Sequence, residues 1–163
     1  MKLLIVRHAE SNPDGNGFHH NEGVIGALSE SGKAQAELLA KHLSTYKVGY
    51  IYSSDILRAA ATAYVISDGM PDVTVMLTKD LRMIDPSESA EVFKNRVETF
   101  LNGLRQKYEH ETIIIVSHSD VIQNLFDLLG HNSKVAPELC SVSEFDVDDD
   151  SKAETVRVND TKY

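Results

Sequence analysis

LLIVRHAES, residues 3–11, drives four apolar side chains straight into Arg7 and His8, and IIIVSHSD, residues 113–120, repeats the pattern before His118. Short Ile- and Val-rich runs bounded by polar residues suit strands buried on both faces, as in a parallel sheet covered by helices. Tyr50–Tyr52 and Val73–Leu77 read as two further strands. Between the strands lie helical periods. Ser29–Ser44 carries Ala34, Leu38, Leu39 and Leu43 on one stripe, and the alanine-rich Asp55–Ser67 follows as a second helix. A third opens at Asp85–Pro86–Ser87–Glu88, with an N-cap acid, a proline at the first helical position and Glu at the capping-box position. Val92, Val97, Phe100, Leu101 and Leu104 then recur at helical spacing, and a fourth helix, Val121–Leu129, stops at Gly130. Cys140–Val147 and Glu154–Val158 alternate like exposed strands joined across an acidic turn, leaving edges that a second chain could pair with.

The order β-α-β-α-β-α-β-α followed by two strands predicts an α/β fold, a three-layer α/β/α sandwich around a mainly parallel sheet. Residues 1–163 fit one domain, without internal repeat or linker. Asn12–Ala27 is the only long irregular stretch and reads as a substrate-facing loop. The net charge of −9 excludes nucleic-acid binding by bulk charge, so an anionic substrate needs a local cluster of cations. Cys140 is the single cysteine, which leaves no internal disulfide and no cysteine metal site. The opening MKLLIVRH is too short for a signal peptide or a membrane span, so a cytoplasmic chain is expected. Oligomeric state is not legible in the sequence.

Ligands of open α/β sheets collect at the carboxyl ends of the strands. His8 and His118 both stand just past such ends. If their strands are parallel neighbours, both imidazoles reach one edge of the sheet, with Arg7 beside them and Arg58 entering from the start of a helix. Two guanidiniums, two imidazoles and helix N-termini make a pocket for a phosphoryl group. Taken singly, each residue has a plainer reading: a histidine at a strand end is more often structural, and an arginine early in a helix is more often solvated. The joint pattern carries the argument.

Arg7–His8–Ala9–Glu10 resembles the Arg-His-Gly-Glu signature of the histidine phosphatase superfamily, its phosphoglycerate mutase-like branch. LSESGKAQAELLAKHL, SSDILRAAATA and SHSDVIQNLFDLLG are similar to three further segments of that family, in the family's order over residues 1–130. The resemblance implies a phosphoglycerate mutase-like fold and a phosphatase in which His8 attacks phosphorus to give a phosphohistidine that water hydrolyses. Arg7, Arg58 and His118 would hold the phosphoryl oxygens. It implies no cofactor and no metal. His19–His20 is an adjacent pair without a matching acid cluster, which is a weak metal signal.

The sequence also departs from the family. Ala9 replaces a glycine. Where an asparagine is expected six residues after the nucleophile stands Asp14, with Asn12 and Asn16 on either side as candidate phosphate ligands. Ser119–Asp120 replaces a pair of small residues, and the Ser119 backbone and hydroxyl remain candidate donors. Met83 stands where the family places its general acid, and the acid-bearing insertion is missing. Asp85 is the nearest replacement, followed by Asp80, Glu22 and Glu88, while Glu10 reads as a residue that orients the signature. Phosphohistidine has a leaving group that protonates readily and needs such an acid less. Two substrate classes therefore stay open: a phosphomonoester of a small metabolite, and phosphohistidine on a protein. A mutase, which must enclose its substrate while it reorients, is not expected from so short a chain. A non-catalytic phosphate-binding module is the alternative from another class.

Overall fold

The computed structural model describes residues 1–13, 27–148 and 152–163. Six strands form one sheet in the order β3-β2-β4-β1-β5-β6. They are β1 (Lys2–Arg7), β2 (Val48–Ser54), β3 (Thr74–Thr78), β4 (Thr112–Ser117), β5 (Val142–Val147) and β6 (Ala153–Asp160). Among the described residues four α-helices accompany them: α1 (Glu30–Leu43), α2 (Leu57–Asp68), α3 (Ala90–Lys107) and α4 (Ser119–Leu128). β3, β2, β4 and β1 are mutually parallel, and β5 and β6 are added antiparallel.

The unbroken apolar runs have a simple cause. Successive side chains of a strand point to opposite faces. Leu3 and Ile5, with Ile113 and Ile115, pack among the Phe93, Val97, Leu101 and Phe126 side chains of α3 and α4. Leu4 and Val6, with Ile114 and Val116, pack among the Leu39, Leu43, Ala59 and Ile66 side chains of α1 and α2. Each such side chain, fully buried, stabilises the fold by about 1.5–3 kcal/mol against its exposed state. Both faces are covered, so no position in these runs can be polar.

Three sequence expectations need correction. The first concerns α1, whose buried face is Gly32, Ala36, Leu39, Ala40 and Leu43, while Leu38 is 50% exposed and Ala34 is exposed. The helix turns its small residues inward because it lies close against the chain just beyond β1. A Cβ on Gly32 would stand 1.9 Å from the Glu10 carbonyl oxygen. Gly32→Ala is therefore expected to lower stability by about 1–3 kcal/mol by forced overpacking, although alanine is the better helix former. Chemical denaturation checks this; an unchanged or raised midpoint would show that α1 is free to move away.

The second concerns α3, which starts at Ala90 with Ser89 as its N-cap, the Ser89 hydroxyl accepting from the Val92 N–H. Asp85 instead closes a turn, and Glu88 reaches Arg96 along the chain (2.7 Å). Val92 faces outward, 56% exposed. The DPSE text satisfies the cap pattern, but two ion-pairing side chains have a better use for it.

The third concerns the tail. β5 is no exposed edge: it pairs with β1 (Val6 with Val142) and is itself covered by β6. Its polar alternation serves an internal network instead. Glu144 is only 5% exposed and receives Lys2, the Tyr46 hydroxyl (2.9 Å) and Arg157 (2.8 Å). β6 and β3 are the sheet's edges.

Candidate active site

β1 and β4 run side by side, with Arg7 opposite Ser117, so the chain delivers His8 and His118 to the same edge. The His8 N–H donates to the Ser117 carbonyl (3.0 Å), which ties the two strand ends together. The imidazole centroids are 5.3 Å apart and inclined by 55°. Arg58 enters as the second residue of α2 and lies between them, donating from Nε to His8 Nε2 (3.1 Å) and from Nη2 toward His118 Nδ1 (3.3 Å). His8, Arg58 and His118 are all buried. Three of the four side chains expected together, His8, Arg58 and His118, are thus brought to one place.

Donor directions assign the tautomers. His8 Nδ1 lies 2.9 Å from the Ala9 carbonyl, which only accepts, so Nδ1 carries the proton and Nε2 keeps its lone pair. Arg58 only donates, so His118 Nδ1 is the acceptor and Nε2–H donates to the Ser54 hydroxyl (2.9 Å). Burial, then the Arg58 and Arg7 charges, push the His8 pKa down to about 4, against the opposing pull of the Ala9 carbonyl. The same causes, with His8 added, hold His118 far below its ordinary value. Both rings are neutral at pH 7, and His8 Nε2 is an available nucleophile once Arg58 turns its Nε–H toward an anion.

Arg7 is held from the other side. Its Nη1 donates to the Pro137 carbonyl (2.5 Å), and its buried Nε–H has no acceptor among the described residues. The Cys140 N–H donates to the Arg7 and His8 carbonyls (3.1 and 3.2 Å), with Cys140 in the left-handed region at φ 59°. Tyr163 donates its hydroxyl to the Cys140 carbonyl (2.7 Å), and Asn159 accepts from the Glu138 N–H (2.6 Å). A loop spanning 137–141 therefore wraps the end of β1 and is itself pinned by the tail of the chain.

The remaining candidates are placed as follows. Ser119 opens α4, whose N-cap is His118, so a helix N-terminus faces the cluster. Asn12 donates its side-chain amide to the Leu28 carbonyl (3.0 Å), at the neck of its loop. Asn16, Asp14, Glu22, His19 and His20 lie outside the described residues. Among the described residues no cluster of His, Cys, Asp or Glu could hold a metal ion. Glu10 accepts from the Ser29 hydroxyl (2.6 Å) and so ties the signature to the N-cap of α1. Asp85 is fully exposed, and its carboxylate accepts from the Ser87 N–H (2.9 Å) and hydroxyl (2.5 Å), bonds that hold its pKa below the usual carboxylate range. Met83 does approach the cluster: its sulfur accepts from Arg58 Nη2 (3.2 Å).

Sequence reasoning gave no role to Ser54 or Thr62. Ser54 ends β2 and receives His118 Nε2–H; Thr62 accepts from the Ala9 N–H (3.0 Å) and donates to the Arg58 carbonyl (2.7 Å). The only available signal was position: both flank Arg58 within one segment, and Thr62 stands one helical turn beyond it.

The segment that carries Met83 is strapped down throughout. A single 3₁₀ turn, Lys79–Leu81, leads into it. The Ser117 hydroxyl donates to the Leu81 carbonyl (2.8 Å), Arg82 grips Asp55 through two bonds (2.6 and 2.5 Å), and the Ile84 N–H donates to Asp120 (2.7 Å). Arg96 reaches the Asp80 and Arg82 carbonyls (2.7 and 3.1 Å).

The chain is similar to known proteins. The chain is 30% identical over 164 aligned residues to phosphoserine phosphatase 1 of Hydrogenobacter thermophilus, an alignment covering 80% of this chain and 77% of the relative. Among solved structures, a phosphoglycerate mutase from Bacillus anthracis superposes with a TM-score of 0.82 at 19% identity, over 99% of this chain and 94% of that one. The protein histidine phosphatase SixA, complexed with tungstate, gives 0.73 at 15% identity, over 96% and 95%. At these identities the solved structures speak for the fold alone. The named phosphatases of the family support a phosphoric monoester hydrolase. The model of the histidine phosphatase superfamily, branch 1, matches residues 3–86 and 82–161, and with a 30% identical relative over most of both chains this chain belongs to that family.

Proposed function

We propose that the chain is a metal-independent, cytoplasmic phosphatase that hydrolyses phosphomonoesters through a phosphohistidine on His8. The observation that carries this reading is the neutral His8 Nε2, tautomer-locked by the Ala9 carbonyl and set beside the Arg58 guanidinium and the His118 ring. In the first step the Nε2 lone pair forms an N–P bond as the bond from phosphorus to the leaving group breaks, the departing atom keeping the electron pair and taking up a proton. Arg7, Arg58, Ser119 and a His118 that takes up a proton with the anion would hold the phosphoryl oxygens. Asn12, and Asn16 outside the described residues, would be further phosphate ligands. In the second step water attacks phosphorus, the N–P bond breaks, and orthophosphate leaves with His8 restored. The test is phosphate release from an aryl phosphate in chelator, with the phosphoenzyme trapped by acid-labile, base-stable label. Full inhibition by chelator would sink the metal-independent claim.

One observation favours the second substrate class, phosphohistidine on a protein. The carboxylates nearest the strapped segment are committed as acceptors: Asp55 to Arg82, Asp85 to Ser87, Glu88 to Arg96 and Asp120 to the Ile84 N–H. The first three are also held below their ordinary pKa. A leaving group that brings its own proton suits such a wall. Asp85 remains the carboxylate to test as the acid. Asp85→Asn is expected to slow alkyl and aryl phosphates alike, within about twofold, as a surface turn would. Slowing confined to alkyl phosphates would make Asp85 the proton donor.

A further inference from the structure

Asp120 stands close to the phosphate site and is used by none of the steps above. It is the second residue of α4, two positions after His118. Its Oδ2 accepts from the Ile84 N–H (2.7 Å) and its Oδ1 from the Val121 N–H (2.9 Å). Both partners are neutral amides. Among the described residues the Asp120 carboxylate forms no direct ion pair. Its place is set by short steps. Ile84 follows Met83, whose sulfur lies 3.2 Å from Arg58 Nη2, and Nη2 lies 3.3 Å from His118 Nδ1. The Asp120 charge acts on the Arg58 guanidinium itself. Asp120 is partly exposed, as are Met83 and Ile84, so among the described residues the protein reaches its surface on this side of the cluster.

We infer that Asp120 sorts substrates by charge, admitting phosphates whose leaving group carries a cation and disfavouring those that carry a second anion beside the phosphate. This rests on the phosphatase reading above and names the substrate class for it: an ammonium- or imidazolium-bearing phosphate, in preference to a bisphosphate or a carboxylated phosphate. A second anion would meet a fixed negative charge at the rim, in a site whose cations are already occupied by the first phosphoryl group. At about 8 Å and an effective dielectric constant near 40, that encounter changes kcat/KM by about fivefold in either direction.

The test compares two aryl phosphates with equally undemanding leaving groups, 4-aminomethylphenyl phosphate and 4-carboxyphenyl phosphate, on the parent and on Asp120→Asn. The asparagine keeps an oxygen for the Ile84 N–H and removes the charge. kcat/KM is expected to fall about fivefold for the cationic ester and rise about fivefold for the anionic one. A positioning or packing role would move both in the same direction, and that result would overturn the inference. Parent enzyme gives a second measurement that needs no variant. Its preference for the cationic ester should shrink severalfold between about 0.05 and 1 M salt, where the screening length falls to about 3 Å; a preference that survives would overturn the inference too. If the parent hydrolysed neither ester, the phosphatase reading would fail and take the inference with it.

Discussion

His8→Ala is expected to lower kcat on an aryl phosphate by at least about 10³-fold and to abolish the trapped phosphoenzyme. The size of the effect follows from the position of the lone pair. On the His8 ring Nε2 alone keeps a lone pair, which faces Arg58, since the Nδ1 proton is spent on the Ala9 carbonyl. His118 is bound in a different sense. Its Nε2–H is given to Ser54, and its Nδ1 faces the same guanidinium at 3.3 Å. Alanine also removes a buried ring, so thermal denaturation of the variant belongs beside the kinetics. Turnover within tenfold of the parent, with the fold intact, would place the nucleophile elsewhere and end the phosphohistidine mechanism.

Arg58→Ala is expected to cost about 10²–10³-fold in kcat/KM, the usual consequence of removing a preorganised donor from a developing anion. It makes a second, independent prediction about His8. Burial is the main cause of the low His8 pKa, and the Arg58 charge adds to it. A nucleophilic imidazole must be neutral, so activity is lost as pH falls through its pKa. In the parent that loss should begin near pH 4 rather than near 6.5, the ordinary value for histidine. Without the guanidinium, protonation of His8 becomes easier, the pKa rises, and the acid limb moves up. NMR titration of the His8 ring reads this directly in the free protein. A ring that titrates near 6.5 in the parent would mean that the cluster is wet and that neither cause operates.

Before any of this, the chain itself determined a good deal. Leu3–Val6 and Ile113–Val116 are apolar at every position because both faces of a covered parallel strand are buried. That local rule predicted the layers, and with them the convergence of His8 and His118. Arg58 was legible because its distance from the end of β2 is set by a short strand-to-helix connection. Other readings failed where two local signals competed. DPSE carries a helix-start pattern, yet Arg96, eleven residues after Asp85, decides what Glu88 does. On α1 the stripe of larger side chains pointed to Leu38, while contact with the Glu10 backbone decided for Gly32 and Ala36.

Only the tertiary structure decided the rest, and in each case the partner is remote in sequence. β5 reads as an exposed strand until β1 covers one of its edges and a buried Glu144 receives Lys2 and Arg157. Arg7 is aimed by Pro137, 130 positions away, in a loop pinned by Asn159 and Tyr163. Asp120 acquires its place beside Arg58 through the Ile84 N–H, 36 positions back along the chain. Hydrophobic period is a property of neighbours in sequence and survives in the text of the chain. The direction of a buried donor is set by whichever acceptor the fold brings to it, and that is settled only when the sheet closes.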